Sequence, residues 1–159
     1  DLLMDEMERH GIHQYEISNF AKKGYESKHN LVYWNNGEYY GFGAGAHSYV
    51  NGKRRANYGP LKKYMAPVEN GQFPVMEEIS LSQEEKMEEE MFLGLRKTEG
   101  VSMTRFHHKF GIELMEIFSS PAKEMENKGL VEVQGDFIRL TKKGRFLGNE
   151  VFQAFLGIS

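Results

Sequence analysis

The chain has 159 residues, of which 40% are hydrophobic and 13% aromatic, enough to build the core of one ordinary domain or of two small pieces. A formal net charge of -3 gives no global pull toward nucleic acid or an anionic membrane. The absence of cysteine excludes a disulfide, a thiolate nucleophile and a thiolate metal site within these residues, and no apolar run approaches the roughly 20 residues of a membrane-spanning helix.

Residues 1–10 read as an amphipathic helix with Leu3, Met7 and His10 on one face, stopped by Gly11. No cap and no initiator methionine precede it. The chain therefore reads as a piece of a longer one, the alternative being a complete small protein with a frayed start. Residues 12–18 alternate around Ile12, Tyr15 and Ile17 as a short strand. Asn19 to Asn36 has little periodicity and reads as a long loop, of the kind that carries function. Glu38 to Val50 reads as an extended segment whose end is rich in glycine. Helix, strand, long loop and strand in that order are what the last units of an α/β barrel or sheet leave behind.

Asn51-Gly52 signals a turn, and Pro60 to Met65 a short helix ended by Pro67. Residues 67–78 read as a linker. Between Lys53 and Lys63 lie five basic residues, Lys53, Arg54, Arg55, Lys62 and Lys63, and no acidic one. They suit a solvated face, or a contact for carboxylates or phosphates.

The second half, residues 79–159, opens on Ser82, an N-cap with Glu85 in the capping-box position. Met87, Met91, Phe92 and Leu95 make an apolar stripe, with Glu84, Glu85, Glu88, Glu89 and Glu90 on the wet side. Ser102 caps a helix carrying Phe106 and Phe110, and Gly111 ends it. Leu114, Ile117 and Phe118 mark a further short helical face. Ser120-Pro121 starts the next helix, which Gly129 terminates. Residues 130–133 and 137–140 form a hairpin around Gln134-Gly135-Asp136, and Thr141 caps a last helix to Phe155. This succession describes a mostly α, winged-helix-like domain. Its third element offers Lys123 and Lys128 but also Glu124 and Glu126, and its wing carries Glu132 and Asp136. That charge pattern argues for packing and against reading DNA.

Two local patterns carry the chemistry. His29, Asn30, Tyr33 and Trp34 lie within six residues. An imidazole can ligate haem iron, and the rings can stack on a porphyrin. The plainer alternative is a loop anchored in the core by Tyr33 and Trp34, with His29 as a hydrogen-bonding strut. Gly41-Phe42-Gly43-Ala44-Gly45-Ala46 lets backbone approach a flat or charged ligand closely, or packs strands tightly. It lacks the spacing of a dinucleotide fingerprint and of a phosphate loop. His47 and Ser48 follow it, where α/β folds place functional groups.

The run YEISNFAKKGYESKHNLVYWNNGEYYGFGAGAHSY resembles the later part of the oxygen-independent coproporphyrinogen III oxidase family, and most closely its HemW-type haem-chaperone branch. HNLVYW, His29 to Trp34, fits that branch's HNxxYW motif at every fixed position, and the segment from about Ile79 to Gly157 resembles the family's C-terminal domain. The resemblance implies an α/β fragment, the last strands of a radical S-adenosylmethionine (SAM) partial TIM-like barrel (residues 1–66), followed by the winged-helix-like domain. It implies a cytoplasmic parent of the oxidoreductase superfamily that holds SAM and a [4Fe–4S] cluster, whose three cysteines would lie outside this chain. It implies haem or porphyrin as ligand, haem-acceptor proteins and the missing barrel as partners, His29 as the candidate iron ligand, and Gly43, Gly45 and His47 near the SAM pocket. The expected activity is haem binding and delivery. A true oxidase that decarboxylates two propionates is the second reading, and a winged-helix interaction or regulatory module the third. The fragment alone is expected to be inactive.

Overall fold

The computed structural model describes residues 2–157. Asp1, at the head of the expected first helix, and Ile158 and Ser159, at the end of the expected C-terminal domain, lie outside the described residues. The chain divides into two compact units, residues 2–36 with 87–157, and residues 37–86.

In the first unit, α1 (Leu2–Arg9) precedes β1 (Ile12–Glu16), and Gly11 takes the left-handed φ of 69° between them. Residues 19–36, expected as a loop, instead form β2 (Asn19–Lys22) and the helix α2 (Lys28–Trp34). β2 pairs antiparallel with β1, Ile12 opposite Lys22. Its sequence, NFAK, lacks the alternation that marks a half-buried strand. What folds it back is Glu16, whose carboxylate accepts from the Ser18 N–H at 3.1 Å and the Asn19 amide at 2.6 Å.

The first unit continues with most of α4 (Gln83–Arg96), whose Met87, Met91 and Leu95 are buried as expected, while Phe92 is partly exposed. The Ser82–Glu85 capping box forms, with N–H to side-chain distances of 2.7 and 3.1 Å. Next come β6 (Val101–Ser102) and α5 (Met103–Phe110), capped by the Ser102 hydroxyl and closed by Gly111 in the left-handed conformation. The helix expected to start at Pro121 starts earlier. One continuous helix, α6 (Leu114–Asn127), runs through the proline. Its buried residues Leu114, Phe118, Ala122 and Met125 keep helical spacing across Pro121, so burial of that face outweighs the lost hydrogen bond. β7 (Val131–Gln134) and β8 (Phe137–Leu140) form the expected hairpin, and β6 adds to it in the order β6-β8-β7. The expected last helix is two, α7 (Lys142–Phe146) and α8 (Gly148–Ala154), divided at Leu147. The core gathers Phe106 of α5, Phe118 of α6, Ile138 of β8, Val151 of α8 and Phe155 at the end of α8, each at most 1% exposed.

The second unit is an antiparallel meander of β3 (His47–Val50), β4 (Lys53–Asn57) and β5 (Val75–Ser80), in that order, with α3 (Leu61–Glu69) between β4 and β5. The β3–β4 turn is the Asn51-Gly52 pair, with φ of 53° and 70°, the values a two-residue hairpin of this twist requires. Pro67, expected to end α3, lies inside it. The stretch 67–78, expected as a linker, holds the end of α3 and the start of β5, which is hydrogen-bonded to β4. Two of the five basic residues share one carboxylate there: Lys53 and Arg55 both reach Glu78, at 2.8 and 2.5 Å.

All strand pairs among the described residues are antiparallel. Short turns join β1 to β2 and β3 to β4, and a short turn can only reverse the chain.

Candidate functional site

HNLVYW is helical, which corrects the extended loop expected for it. Ser27 supplies the N-cap, its hydroxyl accepting from the Asn30 N–H at 3.4 Å. The helix gives the motif a geometry that a loop would not. His29 and Tyr33 are four residues apart and His29 and Val32 three apart, so the three share one face. All are exposed, Val32 at 45% and Tyr33 at 44%. The His29 ring has no hydrogen-bond partner among the described residues, so it is available to a ligand and is no strut. Asn30 and Trp34 form a second pair at helical spacing and are half-buried. Of the two rings expected to anchor the segment, Trp34 is half-buried and Tyr33 is exposed. The Tyr33 ring meets Trp34 edge-on at 5.0 Å.

The inward side is built from charges that the sequence reading did not single out. The Arg96 guanidinium lies over the Trp34 ring at 4.7 Å and within 5.9 Å of the rings of Phe92 and Phe152. Its Nη2 reaches the fully buried Glu16 carboxylate at 3.2 Å. The same Glu16 closes the β1–β2 turn, so one carboxylate ties that hairpin to the end of α4, and Arg96 ties both to α2. Just past α2, the Asn35 side-chain Oδ1 accepts from the Lys97 ammonium at 2.7 Å. Lys97 is 8% exposed, and burial holds its pKa below the ordinary lysine range. It walls a cleft of about 360 Å³ with Leu31 of α2 and with His13 and Tyr15 of β1. Arg96-Lys97 at the end of the apolar stripe of α4 was the signal available in the sequence: a charged pair following buried Leu95.

Gly43, Gly45 and His47 belong to the second unit and make a local cluster there. The glycines lie in a turn before β3 rather than at a strand end. Gly43 and Gly45 have φ of 101° and 71°, which side chains rarely adopt. The Gly43 carbonyl accepts from the Asn57 amide at 3.0 Å, and the Gly45 N–H donates to the Tyr58 carbonyl at 3.0 Å. At Gly41 a Cβ would collide with the His47 carbonyl. Close backbone packing thus explains part of this motif. His47 is the first residue of β3, is exposed, and stands opposite Ala56.

Among the described residues no group of three or more His, Cys, Asp and Glu side chains could hold a metal ion, and no helix is long and apolar enough to cross a membrane.

Residues 81–147 match the family described as the HemN C-terminal domain. The fold agrees: the structure of "Coproporphyrinogen III oxidase (HemN) from Escherichia coli" superposes with a TM-score of 0.74 at 17% identity, over 97% of this chain and 39% of that one. Similarity in sequence points to one branch. The "Heme chaperone HemW" of Bacillus subtilis is 54% identical over 157 residues, 99% of this chain and 41% of that protein. That of Lactococcus lactis is 43% identical over 98% of this chain and 41% of its own length. A zebrafish (Danio rerio) relative, "Radical S-adenosyl methionine domain-containing protein 1, mitochondrial", is 31% identical over 87% and 32%. The chain spans about two-fifths of the length of the Bacillus and Lactococcus relatives. The resemblance to the C-terminal part of the oxygen-independent coproporphyrinogen III oxidase family, in its haem-chaperone branch, is borne out.

Proposed function

We propose that these residues are the C-terminal portion of a radical SAM-family haem chaperone of the cytoplasm, which binds haem and passes it to acceptor proteins. The observation that carries the proposal is the face of α2 made by His29, Val32 and Tyr33. An exposed imidazole without a hydrogen-bond partner among the described residues, flanked by an aliphatic and an aromatic side chain, fits the donor set of a haem site: one nitrogen for iron, and apolar surface for the macrocycle. Similarity to relatives named for haem chaperoning supports the same reading.

In this reading His29 holds the iron, Tyr33 shapes the pocket beside it, and Trp34 and Asn30 fix the helix from the inner side. Haem, when bound, is the cargo. SAM and the [4Fe–4S] cluster of the parent would be held largely by residues outside this chain, with Gly43, Gly45 and His47 lending backbone and imidazole to the SAM pocket. Residues 1–66 would belong to the end of the barrel, and 79–159 would form a winged-helix-like domain that does not bind nucleic acid.

The test is a haem titration of the full-length protein against His29→Ala, followed by absorption spectroscopy. The proposal expects weaker binding and a changed iron-ligand spectrum. Unchanged affinity with an unchanged spectrum would remove His29 from the role.

A further inference from the structure

A second recognition element lies in the first unit. Where α7 meets α8, a pocket of about 370 Å³ has apolar walls from Ile17, Phe146, Leu147 and Phe152, and two guanidiniums in its lining, those of Arg96 and Arg145. A smaller pocket of about 170 Å³ shares Ile17, Arg145 and Phe146 with it. Arg145 is therefore a wall of both.

The two guanidiniums lining the larger pocket differ in their pairing. Arg96 is paired with Glu16 at 3.2 Å, and the carboxylate of Glu150, also in the lining, meets Lys128 at 3.1 Å, a lysine it shares with Glu124 at 3.0 Å. Arg145 makes one hydrogen bond, from Nη1 to the Gln14 side-chain oxygen at 2.7 Å, and no ion pair among the described residues. Burial depresses its pKa, Arg139 repels it further, and Glu8 and Glu132 act in the opposite sense from a distance. A part-desolvated guanidinium without a counter-ion is costly in the free protein, and gains most when an anion arrives. Arg96 lines the same pocket. The rings of Trp34, Phe92 and Phe152 hold its plane, and its Nε is buried without a partner. Guanidinium forks beside aromatic and aliphatic walls select a carboxylate attached to an apolar body.

We infer that this pocket receives a carboxylate side arm of the tetrapyrrole, clamped by Arg145 and steered by the ring-held Arg96. The inference rests on the haem-handling reading above for the identity of the ligand, and on Arg145 for the site.

The experiment uses the full-length protein and four probes: protohaem, protohaem dimethyl ester, metal-free mesoporphyrin and mesoporphyrin dimethyl ester. Affinities are read by absorption and fluorescence quenching for wild type, Arg145→Gln and Arg145→Lys. Arg145→Gln should weaken both diacids roughly tenfold, leave both diesters unchanged and leave the iron-ligand spectrum unchanged. Arg145→Lys should recover part of the loss. Because Arg145 has a single amide partner, its replacement leaves the core and the Glu16–Arg96 pair intact, and a melting curve checks this. Equal loss for acid and ester, or no loss for the acids, overturns the inference while leaving haem binding standing. Arg145-dependent binding of mesoporphyrin in a protein that does not bind haem would keep the inference and sink the haem reading. A wild type that binds none of the four overturns both.

Discussion

Replacing Glu16 by alanine removes the residue on which three segments of the first unit depend. Its carboxylate is 0% exposed, accepts from the Ser18 N–H and the Asn19 amide, and faces Arg96 at 3.2 Å. Alanine would leave two donors unpaired in the β1–β2 turn and a guanidinium, 24% exposed, without its carboxylate. Breaking a buried pair from one side costs about 3–5 kcal/mol, because the surviving charge stays desolvated. At roughly 2–4 °C per kcal/mol for a chain of this size, the melting temperature should fall by about 6–20 °C. Urea unfolding, with the denaturant dependence checked for constancy, measures the loss directly. Glu16→Met with Arg96→Met should cost less than the sum of the two single changes, since neither partner then remains unpaired. A loss below about 1 kcal/mol for Glu16→Ala, or strict additivity in the double variant, would refute the argument.

Asp136 gives a pH prediction. Hydrogen bonds from the Ser102 hydroxyl, then from Thr104, hold its carboxyl below the ordinary range. A depressed native pKa gives stabilisation that is present above the unfolded value and lost as pH falls through the native one. Asp136→Asn should therefore narrow its gap to wild type as pH drops below about 5, and equal urea midpoint differences at pH 7 and pH 3 would contradict this. Gly144→Ala adds a good helix former to α7, yet its Cβ would run into the Leu130 carbonyl. A loss of about 1–3 kcal/mol is expected in place of a gain, and a raised melting temperature would show that the backbone yields.

The parts of the fold visible in the sequence were those written in local chemistry. Ser82 with Glu85, Ser102 with Gly111, Gly129, Thr141 and Asn51-Gly52 each set a boundary through its own side chain or φ, and each stands where the pattern put it. What escaped was set at a distance. β2 has no alternation, because it is fixed by Glu16 and its pairing with β1. α2 is seven residues long with no fully buried position, so it left no apolar stripe, and Ser27 was its one local signal. Pro121 misled the reading of α6 because a single proline weighs less than the Leu114–Phe118–Ala122–Met125 face. In the site, HNLVYW was legible as a motif. Its division into an exposed His29–Val32–Tyr33 face and an inner Trp34 side was not, since it depends on a helix and on Arg96, 62 positions further along the chain than Trp34.

The central claim, that the protein hands on haem through the α2 face, is tested most directly by transfer. Full-length protein loaded with haem is mixed with a haem-free acceptor, and the acceptor's absorption spectrum is followed. The account predicts that the acceptor gains haem as the donor loses it, and that His29→Ala, loaded to the same level, gives an altered rate. No transfer from wild type, with coproporphyrinogen instead converted at catalytic turnover by the reduced, cluster-loaded protein, would contradict it.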